Sequence, residues 1–166
     1  MSDSIPDHPP QLPDVCLTAA GSEREVNLQK IGVPAILIFH GQDTADSALE
    51  VNKVVRKKYP GVDEVFLASV IDLRPFPSMF RNMVQPALEK AYFNAAGKIP
   101  EGADPADLVV LLPDWDGAVH DSVGVAGSTE RGAVVVADGQ GFIVCRDQSE
   151  ALADTALKAL EELKAS

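Results

Sequence analysis

Cysteine is scarce in this chain. Of its 166 residues only Cys16 and Cys145 carry a thiol, and neither belongs to a Cys-x-x-Cys. Two thiols are too few for a disulfide scaffold or a four-ligand zinc site. The three histidines, His8, His40 and His120, are scattered without metal-ligand spacing, so no metal and no cofactor is expected. Basic residues are also few. Fourteen Lys and Arg face 25 Asp and Glu, giving a net charge of -11. That excludes nucleic acid and anionic membrane as natural partners, since both need a positive surface. No apolar run approaches the roughly 18 residues of a membrane helix. The first ten residues hold neither the basic nor the apolar stretch of a signal peptide, so the cytoplasm is the expected location. There is no internal repeat.

What is present suits one globular domain. Hydrophobic residues make up 46% and charged residues 23%. Residues 1–14 carry Pro6, Pro9, Pro10 and Pro13 and read as a flexible, extended arm, which leaves 15–166 as a single domain. Val15–Ala19 and Glu25–Leu28 read as short edge strands. Ala35–His40 is a continuous apolar run after Val33-Pro34 and before Gly41, the pattern of a strand buried on both faces. Asp43 to Ser47 is rich in helix-capping side chains, and a helix should follow to about Tyr59. Val65–Ile71 is a second buried strand. Strand, helix, strand at this spacing predicts a parallel βαβ unit.

Pro77 to Ala96 reads as a helix that Pro86 should kink or split. Its apolar stripe runs through Met79, Phe80, Met83, Val84, Ala87, Leu88, Ala91 and Tyr92 and is expected to be core. As an insertion between the second and third buried strands, this helix also allows a homodimer or partner surface. Leu108–Leu112 is the third buried strand, and Ala118–Val123 a short helix. Ala133–Ala137 and Phe142–Cys145 flank Asp138-Gly-Gln-Gly141 as a hairpin. Ser149 should cap a last helix with Leu152, Ala156, Leu157, Leu160 and Leu163 on its buried face. The order implies an α/β domain with a mixed central sheet and helices on both faces.

Two stretches carry a family likeness. One is Ile36-Leu-Ile-Phe39 followed by Thr44-Ala-Asp-Ser47. The other is Leu112-Pro-Asp-Trp-Asp-Gly117, then Val123-Gly-Val125, then Arg131 to Val144 with its Asp-x-x-Gly turn. Together they resemble the thioredoxin-like superfamily, specifically its redoxin and peroxiredoxin branch. The resemblance implies a thioredoxin-like fold. It also implies that Ser47 stands on the peroxidatic cysteine, or on the second cysteine of a Cys-x-x-Cys. Thr44 falls on the peroxiredoxin threonine or on the nucleophilic cysteine, and Arg131 matches the active-site arginine. His40 replaces the proline that opens the peroxiredoxin motif. Thr129-Glu-Arg-Gly132 holds no counterpart of the thioredoxin cis-proline.

That fold keeps cysteine at a helix start because the helix dipole and free N–H groups stabilise thiolate. A serine hydroxyl there does not ionise near neutral pH and has no sulfur redox chemistry. The expected role is therefore a non-catalytic domain that binds a protein partner or small anion at a vestigial site of Thr44, Ser47, Arg131 and His40. The plainer reading is that Thr44 and Ser47 cap the helix while Arg131 pairs with a carboxylate. His40 with Ser47 suggests a base and a nucleophile, without a visible orienting acid. The alternative function is thiol redox chemistry at Cys145 or Cys16, including a disulfide between them.

Overall fold

The computed structural model describes residues 10–125, 127–149 and 151–165. Five strands form the central sheet in the order β5-β4-β3-β6-β7. They are β3 (Ala35–His40), β4 (Phe66–Asp72), β5 (Leu111–Asp114), β6 (Ala133–Ala137) and β7 (Ile143–Asp147). β3, β4 and β5 run parallel, while β6 and β7 are antiparallel to their neighbours. The remaining strands, β1 (Cys16–Thr18) and β2 (Glu25–Asn27), pair with each other as a separate hairpin. They are not edge strands of the main sheet, although Ala20 N–H donates to Leu111 C=O at 2.8 Å.

The apolar run of β3 is completely buried because both of its faces are covered. Alternation assigns Ala35, Leu37 and Phe39 to one face, with Leu28, Val70, Leu112, Val119 and Val123. Ile36 and Ile38 take the other, with Val51, Val55, Ala156 and Leu160. The first face carries the β1–β2 hairpin and the short helix α4 (Ala118–Val123). The second carries α1 (Ala45–Lys58) and α5 (Leu152–Ala165). Helices thus lie on both sides of a mixed sheet.

Several expectations shift. Of the arm, residues 1–9 lie outside the described residues. Residues 10–14 are extended but anchored: Leu12 is fully buried and its N–H donates to Gly141 C=O at 2.8 Å. The third buried strand starts three residues late. Asp104 caps a one-turn helix, α3 (Pro105–Leu108), with Pro105 in its first turn, and this takes up the start of the apolar run. Ser149 does not cap α5 directly; its Oγ accepts from Ala151 N–H one residue before the helix.

The largest correction concerns the insertion. A short 3-10 turn (Ser78–Phe80) leads into α2 (Arg81–Ala96), one helix that continues through Pro86. Of the stripe expected to be core, only Tyr92 is buried, and Met79, Phe80 and Met83 are exposed. Tyr92 fits because Gly21 has no side chain. A Cβ there would sit 2.3 Å from the Tyr92 ring, and Gly21 has φ +80°.

Candidate functional site

The carboxyl ends of the parallel strands meet the start of α1 and the loop before β6. β3 ends in His40, and Gly41 turns the chain toward Thr44. Thr44 occupies the N-cap position, yet its side chain makes no cap bond. Its Oγ1 instead accepts from Gly41 N–H at 2.8 Å and donates to Ser128 C=O at 2.6 Å. Thr129 packs over Gly41 so closely that a Cβ there would lie 2.5 Å from its Cγ2. The loop after β3 and the loop before β6 are thereby stitched together.

Beneath this seam lies a polar knot that the sequence did not reveal. Register places Asp72, at the end of β4, beside Asp114, at the end of β5. Two adjacent buried carboxylates require compensation. Arg74 provides it for Asp72 through two side-chain hydrogen bonds, at 2.9 Å to Oδ1 and 2.8 Å to Oδ2. Gly117, with φ +74°, makes room for that arginine; a Cβ there would lie 2.2 Å from Arg74 Cδ. Asp114 takes the Nδ1–H of His120 at 2.8 Å and the backbone N–H groups of His120 and Val119. The other ring nitrogen of His120, Nε2, lies 2.7 Å from Ser128 Oγ. The Phe39 ring closes the edge, its centroid 4.9 Å from that of His120.

Electrostatics follow from these contacts. Burial pushes the Asp72 carboxyl up, but the hydrogen bonds and charge of Arg74, with the nearby His120 ring adding to them, outweigh it, so the net shift is downward. Asp114 behaves alike, with hydrogen bonds from the His120 ring and the α4 amides overcoming burial. His40 moves below its usual value. Burial dominates there, His120 adds to it, and the bond to Gly41 C=O at 3.0 Å opposes it.

Ser128, His120 and Asp114 thus line up as nucleophile, base and orienting acid do in hydrolases. Yet Ser128 and His120 are both 0% exposed. No substrate carbonyl reaches Ser128 Oγ in this conformation, so the line acts as a structural tie. The base and nucleophile that His40 and Ser47 suggest are not joined by a hydrogen bond among the described residues, and His40 Nδ1 lies 3.0 Å from Gly41 C=O.

The expected site residues Thr44, Ser47 and Arg131 do come together, on the rim of an open cavity of about 650 Å³ between the starts of α1 and α5. His40 is not among its lining residues. Arg131 is exposed and pairs with no carboxylate among the described residues, contrary to the plainer reading. Asp46, Glu50, Glu130 and Asp154 line the same cavity. One arginine among four carboxylates makes it an acidic pocket.

Both cysteines are free thiols. Cys16 is exposed on the β1–β2 hairpin, whereas Cys145 packs against the core on the α1/α5 side. Burial, Asp147 and Glu162 all push the Cys145 thiol up, away from thiolate. Among the described residues no group of three or more His, Cys, Asp or Glu is arranged to hold a metal ion. No described helix is long and apolar enough to cross a membrane.

No protein-family model matches the chain, and no curated protein matches it in sequence. Solved structures do match. The pneumococcal exposed lipoprotein thioredoxin from Streptococcus pneumoniae is 18% identical, with TM-score 0.61, over 91% of this chain and 100% of that one. An uncharacterized thioredoxin-like protein from Porphyromonas gingivalis is 22% identical, with TM-score 0.59, over 95% and 94%. A thiol-disulfide oxidoreductase from Bacteroides fragilis is 13% identical, with TM-score 0.60, over 90% and 98%. With its parallel β3-α1-β4 unit, antiparallel β6–β7 hairpin and closing helix, the chain has a thioredoxin-like fold.

Proposed function

We propose that this chain is a non-catalytic thioredoxin-fold module that binds a protein partner through a basic side chain at the acidic pocket beside Ser47. Within the fold we read Thr44, Ser47 and Arg131 as the mark of the redoxin and peroxiredoxin branch, with serine in the peroxidatic place.

The observation that carries the reading is the seam above the knot. The Thr44 hydroxyl is committed to Gly41 and Ser128, and Thr129 occupies the space over Gly41. The helix start therefore offers neither a thiol nor an open strip beside one. The reachable surface is the pocket, and its charge favours a cation over the small anion also expected from sequence. Asp46, Glu50, Glu130 and Asp154 outnumber Arg131, and each carboxylate facing a bound cation contributes on the order of 1 kcal/mol at such an exposed site.

Calorimetric titration of the chain with an arginine-rich peptide, and separately with inorganic phosphate, tests this. Binding of the peptide, weakened about tenfold in a Glu50→Gln, Asp154→Asn double variant, is expected, with no phosphate binding. Phosphate binding that disappears in Arg131→Ala would instead establish the anion reading. Peroxide-dependent thiol oxidation by the native chain, lost in Cys145→Ala, would replace the binding role with redox chemistry.

A further inference from the structure

The inner side of α2 is attached at two points. Tyr92 fills the space over Gly21, and the Arg81 guanidinium lies 4.8 Å from the Trp115 ring centroid. The outer side has no such anchor. Met79 is 79% exposed, Met83 70% and Phe93 62%. Pro86 and Lys90, between them, are also exposed.

Within α2, Met83, Pro86, Lys90 and Phe93 are spaced three, four and three apart, and Met79 lies in the 3-10 turn that leads into them. Residues spaced so share one line along a helix, the seam through which two helices pack. The two methionines are flexible enough to fit varied partner side chains. Lys90 is the one charge on the line. Between positions 81 and 98 the chain holds Arg81, Lys90 and Lys98 against a single acid, Glu89, although the whole molecule carries -11. The insertion is thus a locally basic, apolar platform on an acidic body.

We propose that this seam docks an amphipathic helix of a partner protein, apolar along one stripe and bearing a carboxylate opposite Lys90. Charge decides the occupant. A second copy would bring basic residues against basic residues, and its own seam has no carboxylate to offer, because Glu89 lies off the line. The acidic body disfavours an anionic bilayer. A buried Lys without a partner is costly, whereas one facing a carboxylate gives specificity.

The test uses two helical peptides with leucines at seam positions, one with a central glutamate and one with lysine there, titrated against the full chain by fluorescence anisotropy. The glutamate peptide should bind at least tenfold more tightly. Lys90→Glu should reverse the order, and Phe93→Asp and Met83→Asp should each abolish binding while leaving the circular dichroism spectrum unchanged. Equal affinities, or no binding of either peptide, would overturn the proposal. So would sedimentation showing a dimer that Phe93→Asp dissolves, which makes the occupant a second copy. Binding to phosphatidylserine vesicles that the same variant loses would overturn it in favour of a membrane.

Discussion

Two regions a few residues apart invert the usual relation between chemistry and access. In the knot of Asp72, Asp114, His120 and Ser128 the geometry is that of a catalytic line, and every member is sealed. In the pocket beside it the walls are open, and the hydroxyl on its rim, that of Ser47, is not paired with a base. Hydrogen-bond distances alone would nominate the first region as an active site; exposure alone would nominate the second. Neither has both. A buried polar group is there because its partners satisfy it, and an exposed one is free to meet something else. The knot should therefore govern stability, and the pocket recognition.

The strongest way to break this contrast is His120→Ala. It leaves Asp114 without its ring partner and removes the ring nitrogen 2.7 Å from Ser128 Oγ, inside a buried site. Taking away a partner that satisfies a buried carboxylate costs about 3–5 kcal/mol, because the charge is left uncompensated. For a domain of this size that is a fall in Tm of roughly 6–20 °C, readable by calorimetry. Arg131→Ala, at the pocket, should change stability by no more than about 0.5 kcal/mol. Equal effects would mean that the two regions are one unit.

Acid sharpens the contrast next. Asp72 and Asp114 have lowered carboxyl pKa values in the fold. Their contribution is complete above the unfolded value of about 3.9 and is lost as pH falls through the lowered folded values. His40 is also lowered, so the unfolded chain takes up its proton first, and stability should begin to decline below about pH 6.5. Urea denaturation across pH should show two declining stretches. His40→Gln should remove the upper one and keep the lower.

Most of the fold was legible because its strands are continuous apolar runs bounded by Pro, Gly and Asp. The knot was not, because its members are brought together only by register. A signal did exist: two buried parallel strands, Val65–Ile71 and the run ending at Leu112, are each followed at once or nearly so by an aspartate. Neighbouring parallel strands bring such ends side by side. The insertion misled for a different reason. Periodicity identifies a helix, but α2 has apolar residues on both sides, and it takes the contacts of Tyr92 with Gly21 and of Arg81 with Trp115 to show which side faces inward. The resemblance drew Thr44, Ser47 and Arg131 together on spacing, and they line one cavity; spacing does not report that four carboxylates share it.

The seam joining the regions gives a smaller effect. Thr44→Val keeps the shape but removes the hydroxyl that holds Gly41 N–H and Ser128 C=O. Leaving those buried groups unpaired costs about 1–3 kcal/mol. Ser47→Ala, three residues along and on the open side, should cost less than about 0.5 kcal/mol. Chemical denaturation of the pair measures how much of the start of α1 belongs to the knot.

Ser47→Cys should alter stability least and yet probes the contrast most directly. It places sulfur at the start of α1, the position the proposed reading equates with the reactive thiol. The start of α1 would favour thiolate. Asp46, Glu50 and Glu130, sharing the pocket with Ser47, would oppose it, and both native thiols lie on other elements, Cys16 on β1 and Cys145 on β7. Iodoacetamide should therefore alkylate the variant about as slowly as an ordinary exposed cysteine, with no turnover of peroxide in the presence of dithiothreitol. Rapid alkylation with turnover would show that one atom separates this pocket from catalysis. Slow alkylation would show that the surrounding carboxylates have remade it for a different ligand, and then Glu50→Gln in the same background should raise the rate.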